Sequence, residues 1–182
     1  MRRFITASAV VLLICATAVT AQARRAAAGE RSTSAALAYL GGEIRSAQQE
    51  TWSWERVMGI PRTQTAGRVL AEMSVTDVLK ALRVWRAREH AVQRAAQHPP
   101  HLREWLCIHR YEGSWTDPGA PYYGGLQMNL SFQSTYGGWL LAHKGTADHW
   151  TPLEQIWTAE RALRTRGYWP WPNTARFCGL LP

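Results

Sequence analysis

Alternating polar and apolar runs of the kind that form strands are scarce in this chain, and no internal repeat is present. Repeat arrays and strand-built folds are thereby excluded, and a mainly α architecture is expected. A phosphate-cradling glycine loop and a serine-triad motif are absent as well, which removes two common routes to nucleotide binding and acyl transfer. Metal ligands never reach a full set. His109 and Glu112 stand three apart and could share a helix face, but His143 and His149 lie farther on, with no second ligand pair at a known spacing. No metal and no cofactor is expected, and His109 reads as a cleft or packing residue.

Cysteine is also sparse, at three residues. Arg2 and Arg3, an apolar stretch over residues 9–19 and the run Ala21, Gln22, Ala23 have the order of a secretory signal with an A-x-A cleavage site. Residues 1–23 are therefore expected to be removed, leaving a secreted chain that starts at Arg24. The apolar stretch is short for a membrane anchor and is interrupted by small polar residues, so contact with a membrane is expected only through the cleaved signal. Cys15 leaves with it. Cys107 and Cys178 remain in an oxidising compartment and are expected to bond to each other, two free buried thiols being the alternative. Closing a loop of about seventy residues would stabilise the fold by about 4 kcal/mol in the chain-entropy picture.

Basic residues number 21 against 13 acidic, a formal charge of +8. Without Arg2 and Arg3 the balance is 19 against 13, or +6. Such a chain favours anionic surfaces with salt-dependent attraction. Nucleic acid is not an expected partner of an exported protein; polyanions of a cell wall are.

Residues 24–29 read as a flexible Ala/Arg lead, and residues 34–49 as an Ala/Leu stretch broken at Gly41 and Gly42. Trp52 and Trp54 beside Glu50 and Glu55 form a packing anchor before a break at Gly59, Ile60 and Pro61. Ser74 to Asp77 supply a helix start; Val75, Val78, Leu79, Leu82 and Trp85 then recur at helical spacing opposite Lys80, Arg83, Arg86 and Arg88. That helix should run to about Ala96, pack against its own protein, and stop before Pro99 and Pro100. Residues 129–136 suit a short helix cut by Gly137 and Gly138. Thr151, Pro152 and Glu154 make a capping box for a further helix ending at Gly167. The expected organisation is a signal over residues 1–23, a basic helical region over 24–98 and a compact domain over 99–182.

The chemistry concentrates in residues 105–127. Trp105, Leu106, Ile108 and His109 suit a short helix, Gly113 suits a left-handed helix stop, and Glu112 would project from that end. Burial beside Tyr111 and Trp115 favours the neutral acid, whereas Arg110 favours the carboxylate. A carboxylic acid kept neutral by aromatic walls can donate a proton to a glycosidic oxygen. Tyr122, Tyr123, Gly124, Gly125, Leu126 and Gln127 then add rings that stack on sugars and an amide that bonds acetamido groups. The bland alternative is a solvated glutamate at a helix end. A rival acid, Glu160, lies on the apolar stripe of its helix and reads as a structural carboxylate bonded by amides or an arginine.

Glu112, Gly113 and Trp115, then residues 122–127, then Trp169, Pro170, Trp171, Pro172 and Cys178 resemble the transglycosylase-like domain of resuscitation-promoting factors. The match covers about the last eighty residues. In that family a cysteine directly precedes the glutamate; here Tyr111 does, and the cysteine is Cys107. The resemblance implies a small lysozyme-like domain, secreted and associated with the cell wall, that cleaves peptidoglycan glycan strands. It implies that Glu112 is the catalytic acid and that Tyr123 and Gln127 line the glycan cleft; Trp115 and Tyr122 are expected to bind the glycan beside them. The expected activity is that of a lytic transglycosylase using Glu112 alone on the bond between N-acetylmuramic acid and N-acetylglucosamine; the alternatives are a muramidase that adds Asp117 or Asp148 to assist a water and a non-catalytic wall-binding or regulatory protein that only holds the strand. The helical region is expected to dock on the domain or on a partner, other cell-wall enzymes among them.

Overall fold

A computed structural model describes residues 6–65 and 72–182, with side chains from Arg24 onward and Gln22 before it. The side chains of the expected signal, residues 1–21 and 23, thus lie outside the described residues. The described chain is mainly helical: α1 (Thr6–Met58), α2 (Val75–Ala96), α3 (Leu102–Glu112), strands β1 (Tyr122–Tyr123) and β2 (Met128–Asn129), α4 (Leu130–Lys144), a 3-10 turn (Ala147–His149), α5 (Pro152–Arg166) and α6 (Pro172–Phe177). No helix among the described residues is long and apolar enough to cross a membrane.

Residues 24–29 are helical rather than a flexible lead, and Gly41 and Gly42 do not interrupt α1. Alanine-rich sequence propagates a helix well, and a glycine inside one costs only about 1 kcal/mol, so two of them do not stop a long run. In α2 the cap is as the sequence suggests, with the Asp77 amide donating to Ser74 Oγ at 3.1 Å. Its buried face is different, however. Val78, Trp85, Val92 and Ala96 are buried, whereas Val75 and Leu79 are exposed.

The chain divides into two compact units, Met1–Arg45 with Arg68–Leu82, and Ser46–Gly67 with Arg83–Pro182. This division differs from the boundary at 98/99 read from the sequence. Within the second unit the reason is packing: Val57, Met58, Val92 and Ala96 join one core with Trp105, Ile108, Leu126, Met128, Phe132, Leu140, Ile156, Trp157 and Trp171. Arg164 adds a clasp by donating to the Met58 carbonyl at the end of α1, at 3.1 Å. Basic side chains there satisfy carbonyls that the helix itself leaves unpaired.

Buried indoles need partners for their N–H groups, and those of Trp105, Trp150, Trp157 and Trp171 have them. Trp157 Nε1 donates to Ala96 O at 2.8 Å, Trp171 Nε1 to Leu126 O at 2.7 Å and Trp150 Nε1 to Gly145 O at 2.9 Å. Trp105 Nε1 donates to Glu160 Oε1 at 3.0 Å. In α5, Thr151 Oγ1 accepts from the Glu154 amide and Glu154 Oε2 accepts from the Thr151 amide, which completes the capping box. At Gly137 the α4 backbone leaves helical geometry (φ −126°, ψ 23°). A Cβ there would stand 2.6 Å from Trp150 Cη2, so the kink and the absent side chain admit that indole.

Candidate active site

Helix α3 ends at Glu112 because Gly113 turns to a near-extended conformation (φ 159°, ψ −168°), not to the left-handed stop expected. Its amide still donates to His109 O, at 3.4 Å. Half-buried Glu112 accepts one side-chain hydrogen bond among the described residues, from Thr174 Oγ1 at 2.7 Å. Thr174 lies on α6 and is itself buried, with its hydroxyl also 3.4 Å from Trp171 O. The disulfide Cys107–Cys178 fastens α3 to the end of α6, its Cα atoms 6.0 Å apart and 71 residues apart in sequence.

Gly113 is the meeting point of three candidate residues. Asp117 Oδ2 and Gln127 Nε2 each lie 3.3 Å from where a Cβ of residue 113 would be, so the loop and the hairpin turn close in beside Glu112. Gln127 Nε2 donates to Asp117 Oδ2 at 2.9 Å and to Gly124 O at 3.0 Å. Both amide hydrogens are thereby engaged, and Oε1 remains as the acceptor. Asp117 is a brace in this arrangement. Its other oxygen, Oδ1, accepts from the Gly119 amide at 3.0 Å, the ordinary geometry of aspartate in a turn.

The β1–β2 hairpin is seated by a residue that carries no signal in the sequence. Buried Gln155 accepts from the Gly125 amide at 2.8 Å and donates to the carbonyls of Trp115 (2.8 Å), Ala147 (2.9 Å) and Trp150 (3.0 Å). A Cβ on Gly124, whose φ is +72°, would stand 2.5 Å from Gln155 Oε1. Gly125 likewise has His109 Nδ1 and Trp115 Cε3 2.6 Å from its Cβ position. The paired glycines are what lets the turn approach α5 and α3 this closely. Gln127 stands just after them with φ 47°, a left-handed backbone that is uncommon for a residue with a side chain.

A hollow of about 250 Å³ opens next to this turn, lined among others by Tyr122, Gln127, Asn129, Tyr136, Arg166 and Trp171. Tyr122 and Gln127 therefore share one cavity, whereas Tyr123 is packed against the core. Trp115 is not a wall of the hollow: its ring stacks on His109 at 3.8 Å, and of the two roles expected of His109, cleft or packing, this contact is packing. Tyr111 does not close over Glu112 either. It is largely exposed and pairs with Phe177 at 5.6 Å. Asp148, on the 3-10 turn, faces His149 Nδ1 at 3.3 Å, and its Oδ1 is buried without a partner among the described residues.

Glu160 has the structural role expected of it. Its carboxylate accepts from the His101 amide at 2.8 Å, lies 3.1 Å from His101 Nδ1 and takes the Trp105 indole proton, which pins the start of α3. Thr174, Gln155 and Arg166 are the residues of the site that the sequence did not suggest; the first two are defined by partners tens of residues away, and Arg166 by the hollow it lines. No cluster of His, Cys, Asp and Glu among the described residues could hold a metal ion. Comparison with known proteins finds no family model that matches the chain, and neither a curated protein nor a solved structure with significant similarity to it.

Proposed function

We propose that the chain is a secreted, cell-wall-associated enzyme that cleaves peptidoglycan as a lytic transglycosylase, with Glu112 as its one catalytic carboxyl group in a small lysozyme-like domain. The observation that carries this reading is the Glu112–Thr174 contact at 2.7 Å, a pair that does not itself line the hollow but is joined to it by Gln127 beside Gly113 and by Trp171, whose carbonyl lies 3.4 Å from the Thr174 hydroxyl. A threonine hydroxyl both donates and accepts. It donates to Glu112 when that group is a carboxylate; when Glu112 is protonated it accepts, and turns its own proton toward Trp171 O. Both protonation states of the glutamate are served without moving a backbone atom.

Such a group suits a reaction that needs an acid first and a base afterwards. Glu112 gives its proton to the glycosidic oxygen as the bond from C1 of the muramyl sugar breaks and positive charge builds at that carbon. The resulting carboxylate then takes the proton of the muramyl 6-hydroxyl, whose oxygen bonds to C1 and leaves a 1,6-anhydro sugar. Gln127 Oε1 is placed to accept from an acetamido N–H or a hydroxyl, and Tyr122 and Trp171 offer ring surface. Asp117 is engaged through both oxygens and Asp148 is directed elsewhere, which favours the single-carboxylate route over a muramidase.

Mass analysis of purified peptidoglycan after incubation with the oxidised protein or its Glu112→Gln variant tests the reading. Anhydro-muropeptides from the unaltered protein alone are expected, the variant losing at least about a thousandfold in rate, or about 4 kcal/mol of barrier. Reducing-end products would indicate a muramidase. Absence of products from both, with the protein still sedimenting on the wall, would indicate a binding protein.

A further inference from the structure

The last turns of α1 and the segment that follows form a second hollow, of about 260 Å³, lined by Gln49, Trp52, Ser53, Arg56, Arg62 and Trp139. None of these residues belongs to the Glu112 site. The segment is folded back onto α1 by fixed bonds: buried Glu55 accepts from the amide of Thr63 at 2.9 Å and from its hydroxyl, while Trp52 Nε1 donates to Thr63 O at 2.9 Å. Arg62 is thereby laid over Trp52, its Cζ 3.7 Å from the ring centroid, and Arg56 stands 5.4 Å from the ring of Trp139.

A guanidinium held against an indole is fixed in place, and its N–H donors stay available at the rim. Neither arginine has a carboxylate partner among the described residues. The nearby acids are committed elsewhere, Glu55 to Thr63 and Glu50 to the Trp54 indole at 3.0 Å. Two uncompensated, prepositioned cations in a hollow with aromatic walls and two neutral hydrogen-bonding side chains, Gln49 and Ser53, match an oxyanion on a compact hydroxylated body.

We propose that this hollow binds an acidic sugar unit, the carboxylate or phosphate pairing with Arg56 and Arg62 while the ring seats beside Trp139. That the anion is carried on a sugar rests on the glycan reading of the Glu112 site; the preference for an anion does not. Occupied together with the hollow of Tyr122, Gln127 and Trp171, it would hold an anionic wall polymer at a second point.

The test follows the indole N–H resonances of the oxidised, 15N-tryptophan-labelled protein during titration with N-acetylmuramic acid, glucose 6-phosphate, N-acetylglucosamine and inorganic phosphate. Expected are shifts of Trp52 and Trp139 with one or both acidic sugars, at least about tenfold tighter than with N-acetylglucosamine or phosphate alone. Whichever acidic sugar binds identifies the source of the anion. Arg56→Gln with Arg62→Gln, both at exposed positions, should weaken that binding by about tenfold or more, and Glu112→Gln should leave it unchanged. Equal binding of the neutral sugar, equal binding of bare phosphate, unchanged affinity in the double variant, or shifts confined to Trp171 would each overturn the proposal. Loss of muropeptide release in Glu112→Gln with these shifts intact would separate the two sites.

Discussion

Each end of α3 meets a glutamate, and the two carboxylates are treated in opposite ways. At the start of the helix Glu160 is buried and its oxygens are filled by the His101 amide, the His101 ring and the Trp105 indole. At the other end Glu112 is half-buried and has a single hydroxyl that can reverse its direction. A carboxylate saturated by fixed donors is a strut, because losing or protonating it strands those donors. One with a lone amphoteric partner can gain and lose a proton at little cost to the fold. Of the two, burial alone would single out Glu160.

The contrast can be broken or sharpened by five changes, the first three read in folding free energy and the last two in activity and in titration. Removing the disulfide by Cys107→Ser with Cys178→Ser should cost about 4 kcal/mol in denaturant unfolding of the oxidised protein, the loop-closure contribution for a span of this length. Because α6 carries Thr174, the Glu112 end should loosen first. Glu160→Leu should cost about 3 kcal/mol by orphaning the His101 amide and the Trp105 indole. Glu112→Gln, measured alongside, should stay within about 0.5 kcal/mol of the unaltered protein, and equal losses for the two would erase the distinction.

Thr174→Val addresses the reversible partner itself. About a tenfold fall in muropeptide release is expected, equivalent to about 1.4 kcal/mol of barrier, with a displaced pH profile and recovery in Thr174→Ser. An unshifted profile would mean that the hydroxyl only packs. The smallest effect concerns Tyr168, whose ring lies 5.2 Å from Trp105 at the Glu160 end. Burial, and then the charges of Glu104 and Glu160, push its phenol up from 10.0 to about 12. The folded value lies above the unfolded one, so the stability from the neutral phenol is complete below pH 10 and is lost as the pH rises toward 12. Absorbance at alkaline pH should show one late-ionising tyrosine, and Glu160→Gln should bring its midpoint down.

What the sequence reveals of this fold is what short-range chemistry decides. Thr151, Pro152 and Glu154 specify a helix start among themselves, Ser74 does the same for α2, and Gly137 marks the interruption of α4. Glycine content misleads in α1, where Gly41 and Gly42 sit inside a helix that its neighbours sustain. Helical spacing likewise nominates Val75 and Leu79 for burial, and both are exposed, since periodicity gives a face but not its width. The site divides along the same line. Glu112 at a helix end and Gln127 after paired glycines can be read locally. Thr174 cannot, because it reaches Glu112 across 62 residues, and neither can the part of Trp115, whose ring is claimed by His109.

The buried glutamines have a consequence for time rather than for shape. Gln155 holds the Gly125 amide, and Gln133 holds the Ala147 amide at 3.0 Å while donating to Met128 O at 2.6 Å. Both amides belong to turns, the class of backbone that ordinarily exchanges its protons with water fastest. Here they should exchange as slowly as the helix interiors, so the hairpin turn beside the hollow behaves as part of the rigid body. A ligand entering the hollow meets a preformed wall, with little ordering left to be done on binding.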